Sequence, residues 1–201
     1  MSVVLILSSY LLGSIPSAYI AGRLSKGIDI RNFGDGNVGA GNAYRVIKPA
    51  AGVAVFMADA SKGAIAVLVA QAFGSQPVAL LAGFAVVAGH NWPVYIGFRG
   101  GIGQSTTIGI LCALLPQAMG ILLAASVIPF FVMRNRMLAG LIQFAPLWFA
   151  ALLLGAPGLL VAYSIVLPCL MGFRYLQTAK RRRMMLARTL ALTDEDVHQG
   201  A

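Results

Sequence analysis

The sequence predicts an all-α integral membrane protein of about seven transmembrane helices, two of them short, with the N-terminus outside and the C-terminus cytoplasmic. Three observations carry this reading. Of 201 residues, 59% are hydrophobic and only 10% charged, against about 45–50% and about 25% in an ordinary soluble domain. The mean hydropathy is +0.82, and a chain of this length has too little interior to hide so much apolar surface from water. The 15 Lys and Arg residues gather almost entirely between or beside the apolar runs.

A helix needs about 20 mostly apolar residues to cross a bilayer. Segments 3–22, 51–71, 78–97, 138–154 and 158–173 fit. Segment 107–133 is apolar but long, with Pro116 and Gly120 near its middle. It is one tilted helix or two short passes, and charge decides between them. Cytoplasmic loops collect Lys and Arg. Arg23, Lys26, Arg31, Arg45 and Lys48 flank or fill 23–50; Arg99 follows the third run; Arg134 and Arg136 follow the long one. Arg174, Lys180, Arg181, Arg182, Arg183 and Arg188 close the chain, while connectors 72–77 and 155–157 carry no charge. If every basic segment is cytoplasmic, the stretch between Arg99 and Arg134 crosses twice, as two short helices within 105–133. Residues 1–188 then form a single multi-helix membrane domain. Residues 189–201, with Asp194, Glu195 and Asp196, form a polar acidic cytoplasmic tail. Basic residues follow the first apolar run rather than precede it, so the run reads as a span and not as a signal peptide.

The composition excludes several classes. Cys112 and Cys169 stand alone in apolar runs, without the spacing of a disulfide scaffold or a zinc site. No aromatic residues interleave with the basic run, so no nucleic-acid partner is expected. The net charge of +9 is largely a topology signal. The Lys180–Arg183 cluster either anchors to anionic lipid or forms a basic mouth for a phosphate-bearing substrate.

Irregular backbone at membrane depth survives only where protein or a watery cavity covers it. Two glycine-rich polar loops beside spans are therefore the candidate sites. The first, 27–45, holds Gly27, Gly34, Gly36, Gly39 and Gly41 with Asn32, Asn37 and Asn42. Glycines let successive N–H groups converge on an anion, and Arg45 or Arg31 offers a bidentate fork for phosphate. The letters Gly34-x-Gly36-x-x-Gly39 also match a dinucleotide fingerprint, but no strand precedes them. The second loop, 89–107, starts inside the third apolar run, where Pro93 breaks the helix. It ends in Gly100-Gly101-x-Gly103 beside Arg99, again a phosphate cradle. His90 is a structural post for that loop or a proton-transfer group. Asp59 and Lys62, at i and i+3 in the second full span, either neutralise one another or touch substrate. No nucleophile constellation and no paired intramembrane carboxylates are present. Any reaction here relies on positioning and charge stabilisation, which suits a substrate that brings its own leaving group.

These residues resemble those of the bacterial acyl-phosphate:glycerol-3-phosphate acyltransferases, the PlsY family. The carriers are the opening Tyr10-Leu-Leu-Gly-Ser-Ile-Pro16, then Gly27-Ile-Asp-Ile-Arg31, then the glycine–asparagine pattern of 34–45. Asp59, Lys62 and Gly63 follow, and then Gly89-His90, Trp92-Pro93 and Phe98-Arg99-Gly100-Gly101-x-Gly103. The resemblance covers roughly residues 9–106.

The resemblance implies a membrane enzyme of about seven helices in the bacterial inner membrane, its active site facing the cytoplasm. The reaction moves an acyl chain from acyl phosphate to the 1-hydroxyl of glycerol 3-phosphate, giving lysophosphatidic acid for phospholipid synthesis. It implies no metal and no other cofactor, partners limited to these substrates and membrane lipid, and a monomer. Arg45, His90 and Asn37 would be catalytic. Gly34, Asp35, Gly36, Asn42, Arg99, Gly100, Gly101, Gly103, Lys180 and Arg181 would hold substrate.

Departures from the family pattern accompany it. Asp35 stands where the family has Ser, Gly41 where it has Thr, and Ile102 where it has Lys. Neither serine of a later stretch appears in Met137–Gly140, and Thr178 replaces an Asn. A second reading follows: a relative with impaired catalysis that binds acyl phosphate or lysolipid, or one that uses a different acceptor.

Overall fold

The computed structural model describes residues 1–133 and 136–199, with backbone alone at 131, 136, 137 and 180–199. Among the described residues there are helices and turns and no strand. The helices are α1 (Ser2–Ser14), α2 (Ser17–Lys26), α3 (Ala40–Val46), α4 (Pro49–Phe73), α5 (Gln76–Asn91), α6 (Gln104–Leu114), α7 (Pro116–Val127), α8 (Arg136–Phe144), α9 (Leu147–Leu153) and α10 (Gly158–Gln199).

Four stretches are long and apolar enough to cross a membrane: Ser2–Lys26, Pro49–Phe73, Gln76–Ile96 and Gly158–Ala179. Shorter apolar helices cover Gln104–Leu114, Pro116–Phe130 and Leu138–Leu153. The long run expected over 107–133 is indeed two helices, parted at Leu115 by the missing N–H of Pro116. The run expected as one span over 138–154 is instead bent between α8 and α9, where Pro146 interrupts it. The first span is interrupted too, between α1 and α2 at Ile15–Pro16. Pro16 has no N–H for the Leu12 carbonyl, which takes Ile15 N at 3.3 Å, and the Ile15 carbonyl accepts Ser17 N at 3.1 Å and Lys62 Nζ at 3.1 Å. That gives Lys62 a reason to sit inside a span. The backbone of α10 runs helically through Lys180, Arg181 and the start of the expected acidic tail, but the side chains of 180–201 lie outside the described residues.

Close helix approach through small residues frames the site. A Cβ on Gly13 would overlap the Val86 backbone, and one on Gly89 would overlap the Tyr10 carbonyl, so α1 and α5 lie backbone to backbone. Gly63 against Thr106 and Gly109 against Ala60 do the same for α4 and α6. Between α4, α5, α6, α7, α9 and α10 lies the main core, with Val67, Val86, Val87, Ile110, Leu111, Met119, Leu147 and Leu167 fully buried. A second, smaller core of Ala18, Ile30, Val38, Ala43, Ile47, Ala51 and Val55 lies beneath the first glycine-rich loop. Val3, Leu7 and Leu11 of α1 and Val53, Met57 and Leu68 of α4 stay exposed, as lipid-facing side chains do.

Candidate active site

The first loop leaves α2 at Gly27, which caps the helix in the left-handed conformation. Asp29 then accepts the backbone N–H of Arg31 at 3.0 Å and grips its guanidinium with both oxygens, at 2.6–3.1 Å. Those bonds from Arg31 hold the Asp29 carboxyl below its ordinary value. The other arm of Arg31, Nη1, donates to the Ile96 carbonyl of the second loop at 2.9 Å. Arg31 is thus a strap between the two loops rather than a fork held open for phosphate. Asn42 is fully buried under the turn. Its amide donates to the Ile30 and Phe33 carbonyls, and its oxygen accepts Asp35 N at 3.1 Å. It shapes the loop from within. Gly34, with φ 61, leaves no room for a Cβ against that amide, and Gly36 turns with φ 68.

Between these glycines Asp35 is held outward. Its Oδ1 accepts Asn37 N at 3.0 Å, and its Oδ2 is ion-paired with Arg45 Nη2 at the end of α3. Asn37 has its Oδ1 buried with no hydrogen-bond partner among the described residues.

The second loop begins where α5 ends, at His90–Asn91, two residues before Pro93. The chain returns so that Gly101 N donates to His90 O at 3.1 Å and Gly100 N to Asn91 O at 3.3 Å. Gly101 lies against both the His90 Nε2 and the Val38 carbonyl of the first loop, with no space for a Cβ. The two glycine loops therefore meet at His90. Gly103, with φ 88, caps the start of α6. Arg99 is exposed on the outer part of this turn.

His90 is buried, and its Nδ1 faces Asp59 Oδ1 at 3.6 Å, too far for a hydrogen bond. The same carboxylate oxygen takes Lys62 Nζ at 2.8 Å and Ser17 Oγ at 2.9 Å. Asp59 and Lys62 thus neutralise one another inside the fold, 1% and 5% exposed.

One residue that charge counting treats only as a topology marker belongs here. Arg174 of α10 is buried; its Nη2 donates to Asn91 O at 2.9 Å and its Nε to Gly101 O at 3.3 Å. Its guanidinium also lies 5.2 Å from the Trp92 ring centre. It clamps the second loop from behind. Ile102 half faces a 30 Å³ cavity shared with Tyr175, Thr178 and Ala179.

The fully buried Asn91 amide and the Thr106 and Thr107 hydroxyls make no hydrogen bond among the described residues. They cluster at the glycine turn and the first turns of α6, where backbone N–H groups favour an anion. A guanidinium such as that of Arg45, glycine backbone N–H groups and a helix start are each groups of the kind that bind phosphate. Of the expected residues, those of the two loops meet around Val38, His90 and Gly101, Arg99 stays on the outer turn, and the Lys180 and Arg181 side chains fall outside the described residues.

Residues 3–184 match the family model described as glycerol-3-phosphate acyltransferase. The chain belongs to this family. It is 42% identical over 92% of its length to all of glycerol-3-phosphate acyltransferase 4 of Dehalococcoides mccartyi. It is 39% identical to the glycerol-3-phosphate acyltransferase of Desulforudis audaxviator, over 75% of this chain and 77% of that one. The fold is similar to the crystal structure of PlsY (YgiH), an integral membrane glycerol 3-phosphate acyltransferase, in its glycerol 3-phosphate form. The TM-score there is 0.81, at 33% identity over 93% of both chains. The lysophosphatidic acid form of the same protein matches with a TM-score of 0.75 at 30% identity. In this acyltransferase family member, the glycine loops, Arg45 and His90 quoted from the sequence are thus part of a fold shared along nearly the whole chain.

Proposed function

We propose that this family member is a membrane enzyme that transfers an acyl chain from acyl phosphate to the 1-hydroxyl of glycerol 3-phosphate. The acceptor oxygen attacks the acyl carbonyl, and the carbonyl–phosphate C–O bond breaks. The hydroxyl proton leaves with the departing phosphate, and lysophosphatidic acid and phosphate are the products. One observation carries the reading: two glycine loops from distant parts of the chain close on one another at His90, and the first of them bears the partly exposed Arg45 guanidinium on Asp35. Backbone amides and a guanidinium stabilise phosphate charge without a general base from the protein.

In this reading Arg45 holds phosphate, the buried Asn37 Oδ1 accepts a hydroxyl of the glycerol moiety, and Asn42 keeps the first loop in shape. His90 acts as a buried post for Gly100 and Gly101, and Gly103 opens the α6 start. Arg99, Lys180 and Arg181 draw anionic substrates to the mouth. Four long apolar stretches and three short ones, together with the rule that basic segments stay cytoplasmic, support about seven crossings with the N-terminus outside. The active site then faces the cytoplasm of the bacterial inner membrane, residues 1–188 form one membrane domain with a polar tail, and the protein acts as a monomer.

The direct test is to give the purified protein palmitoyl phosphate and sn-glycerol 3-phosphate and follow lysophosphatidic acid by mass spectrometry. Product is expected, and Arg45→Ala is expected to lower kcat/KM by about tenfold to a hundredfold, chiefly through KM. Absence of product from the wild-type protein overturns the reading.

Arg174 tests the clamp. Arg174→Ala is expected to lower kcat/KM about tenfold, since two carbonyls of the second loop lose a charged donor. Arg174→Lys restores only part, because an ammonium cannot fork between both. Unchanged kinetics in Arg174→Ala would remove Arg174 from the site.

A further inference from the structure

Asp35 is an anion built into the place where an anionic substrate is expected. Its backbone is fixed from both sides. Gly34 and Gly36 turn with φ 61 and 68, and the buried Asn42 oxygen accepts its N–H at 3.1 Å. One carboxylate oxygen is anchored by Asn37 N at 3.0 Å, and the other meets Arg45 Nη2. The partners remain reachable from solvent, with 25% of the Asp35 side chain and 36% of the Arg45 side chain exposed.

We propose that Asp35 is an internal competitor for Arg45, a specificity-determining contact that the substrate's phosphate must displace before it is held. The proposal rests on the reading of Arg45 as a phosphate ligand. A phosphomonoester carries about −1.5 to −2 charge near neutral pH and three acceptor oxygens. It outcompetes a single carboxylate for a guanidinium. A partly exposed ion pair is weak enough to open. Because Asn37 N holds the other oxygen, the carboxylate stays in the loop when Arg45 turns away. It then sets a charge threshold: a dianionic head group opens the pair, whereas a neutral polyol does not. The contact lowers affinity for the acceptor and sharpens its selection.

The test is a double-mutant cycle on Asp35 and Arg45. Binding of sn-glycerol 3-phosphate, and separately of inorganic phosphate, is measured by calorimetry on wild type, Asp35→Asn, Arg45→Ala and the double variant. Asn keeps an oxygen for Asn37 N, and Asp35→Ser is the second variant should Asp35→Asn fold poorly. Asp35→Asn is expected to bind both probes about three- to tenfold more tightly than wild type. KM for glycerol 3-phosphate should fall in step with Kd. In the Arg45→Ala background the same substitution is expected to gain markedly less. Equal or weaker binding in Asp35→Asn overturns the proposal. So does a full gain without Arg45, since the carboxylate would then act by repulsion alone. A tightened Kd in a protein that makes no lysophosphatidic acid would leave the competition standing and remove the proposed activity instead.

Discussion

Asp59→Leu is expected to destabilise the protein by about 3–5 kcal/mol, and Asp59→Leu combined with Lys62→Met is expected to recover most of that loss. The carboxylate is 1% exposed and the ammonium 5%. Their 2.8 Å contact pairs the two charges where both side chains are buried, and an unpaired charge inside a span is costly. Removing Asp59 alone strands the ammonium and deprives Ser17 Oγ of its acceptor. Removing both charges leaves two apolar side chains of similar bulk. The Ile15 carbonyl loses Lys62 but keeps the Ser17 N–H at 3.1 Å, so the double variant has one weakened acceptor and one hydroxyl without its Asp59 partner, but no uncompensated charge. Thermal unfolding of the detergent-solubilised protein, read by retention of the monodisperse peak, gives the comparison. If the double variant is as unstable as Asp59→Leu, the loss does not come from an uncompensated charge on α4 but from the contacts to Ser17 and Ile15. Activity separates a second role. The same Asp59 oxygen lies 3.6 Å from His90 Nδ1, so the double variant is expected to fold yet turn over more slowly, because the imidazole beneath Gly101 loses its anionic neighbour.

Much of this arrangement is legible in the sequence because the signals are local. Pro93 and Pro116 mark helix boundaries, with α5 ending two residues before one and α7 beginning at the other, although Pro168 is carried inside α10. The glycine loops announce themselves by composition, since that many glycines and asparagines between apolar runs suit a cradle and little else. What sequence reading misses depends on partners far along the chain. Arg31 looks like a phosphate fork until Ile96, 65 residues away, is seen to occupy it. Asn42 looks like a ligand until its amide is found binding Ile30 and Phe33. Arg174 counts as one more cytoplasmic charge, because nothing in its neighbourhood predicts a carbonyl 83 residues earlier. The kink at Ile15–Pro16 was available from the proline alone. That Lys62 in the next long helix answers it is not legible in the same way, because the two residues are far apart in the chain.

Gly101→Ala is expected to lower kcat about 100-fold, an effect of displaced geometry rather than lost chemistry. A Cβ there would overlap the His90 Nε2 on one side and the Val38 carbonyl on the other. Neither neighbour has space to yield. Val38 is 3% exposed and belongs to the small core under the first loop, and the His90 carbonyl is tied to Gly101 N itself. The added methyl therefore pushes the two loops apart, and with them Arg45 from the turn before α6. Overpacking of this kind costs about 1–3 kcal/mol of stability, so the protein is expected to remain folded while the cradle opens. Gly120→Ala is the matched control: it lies in α7 with nothing within 4 Å of the added carbon, and alanine favours a helix. It is expected to keep full activity and equal or better thermal stability. Gly101→Ala retaining kcat within about twofold of wild type would mean that the loops can separate without loss. Their contact would then be a feature of the fold and not of the site. A large fall in kcat with a folded protein would instead mean that catalysis depends on the distance between residues 34–45 and 90–103, which Gly101 sets by having no side chain.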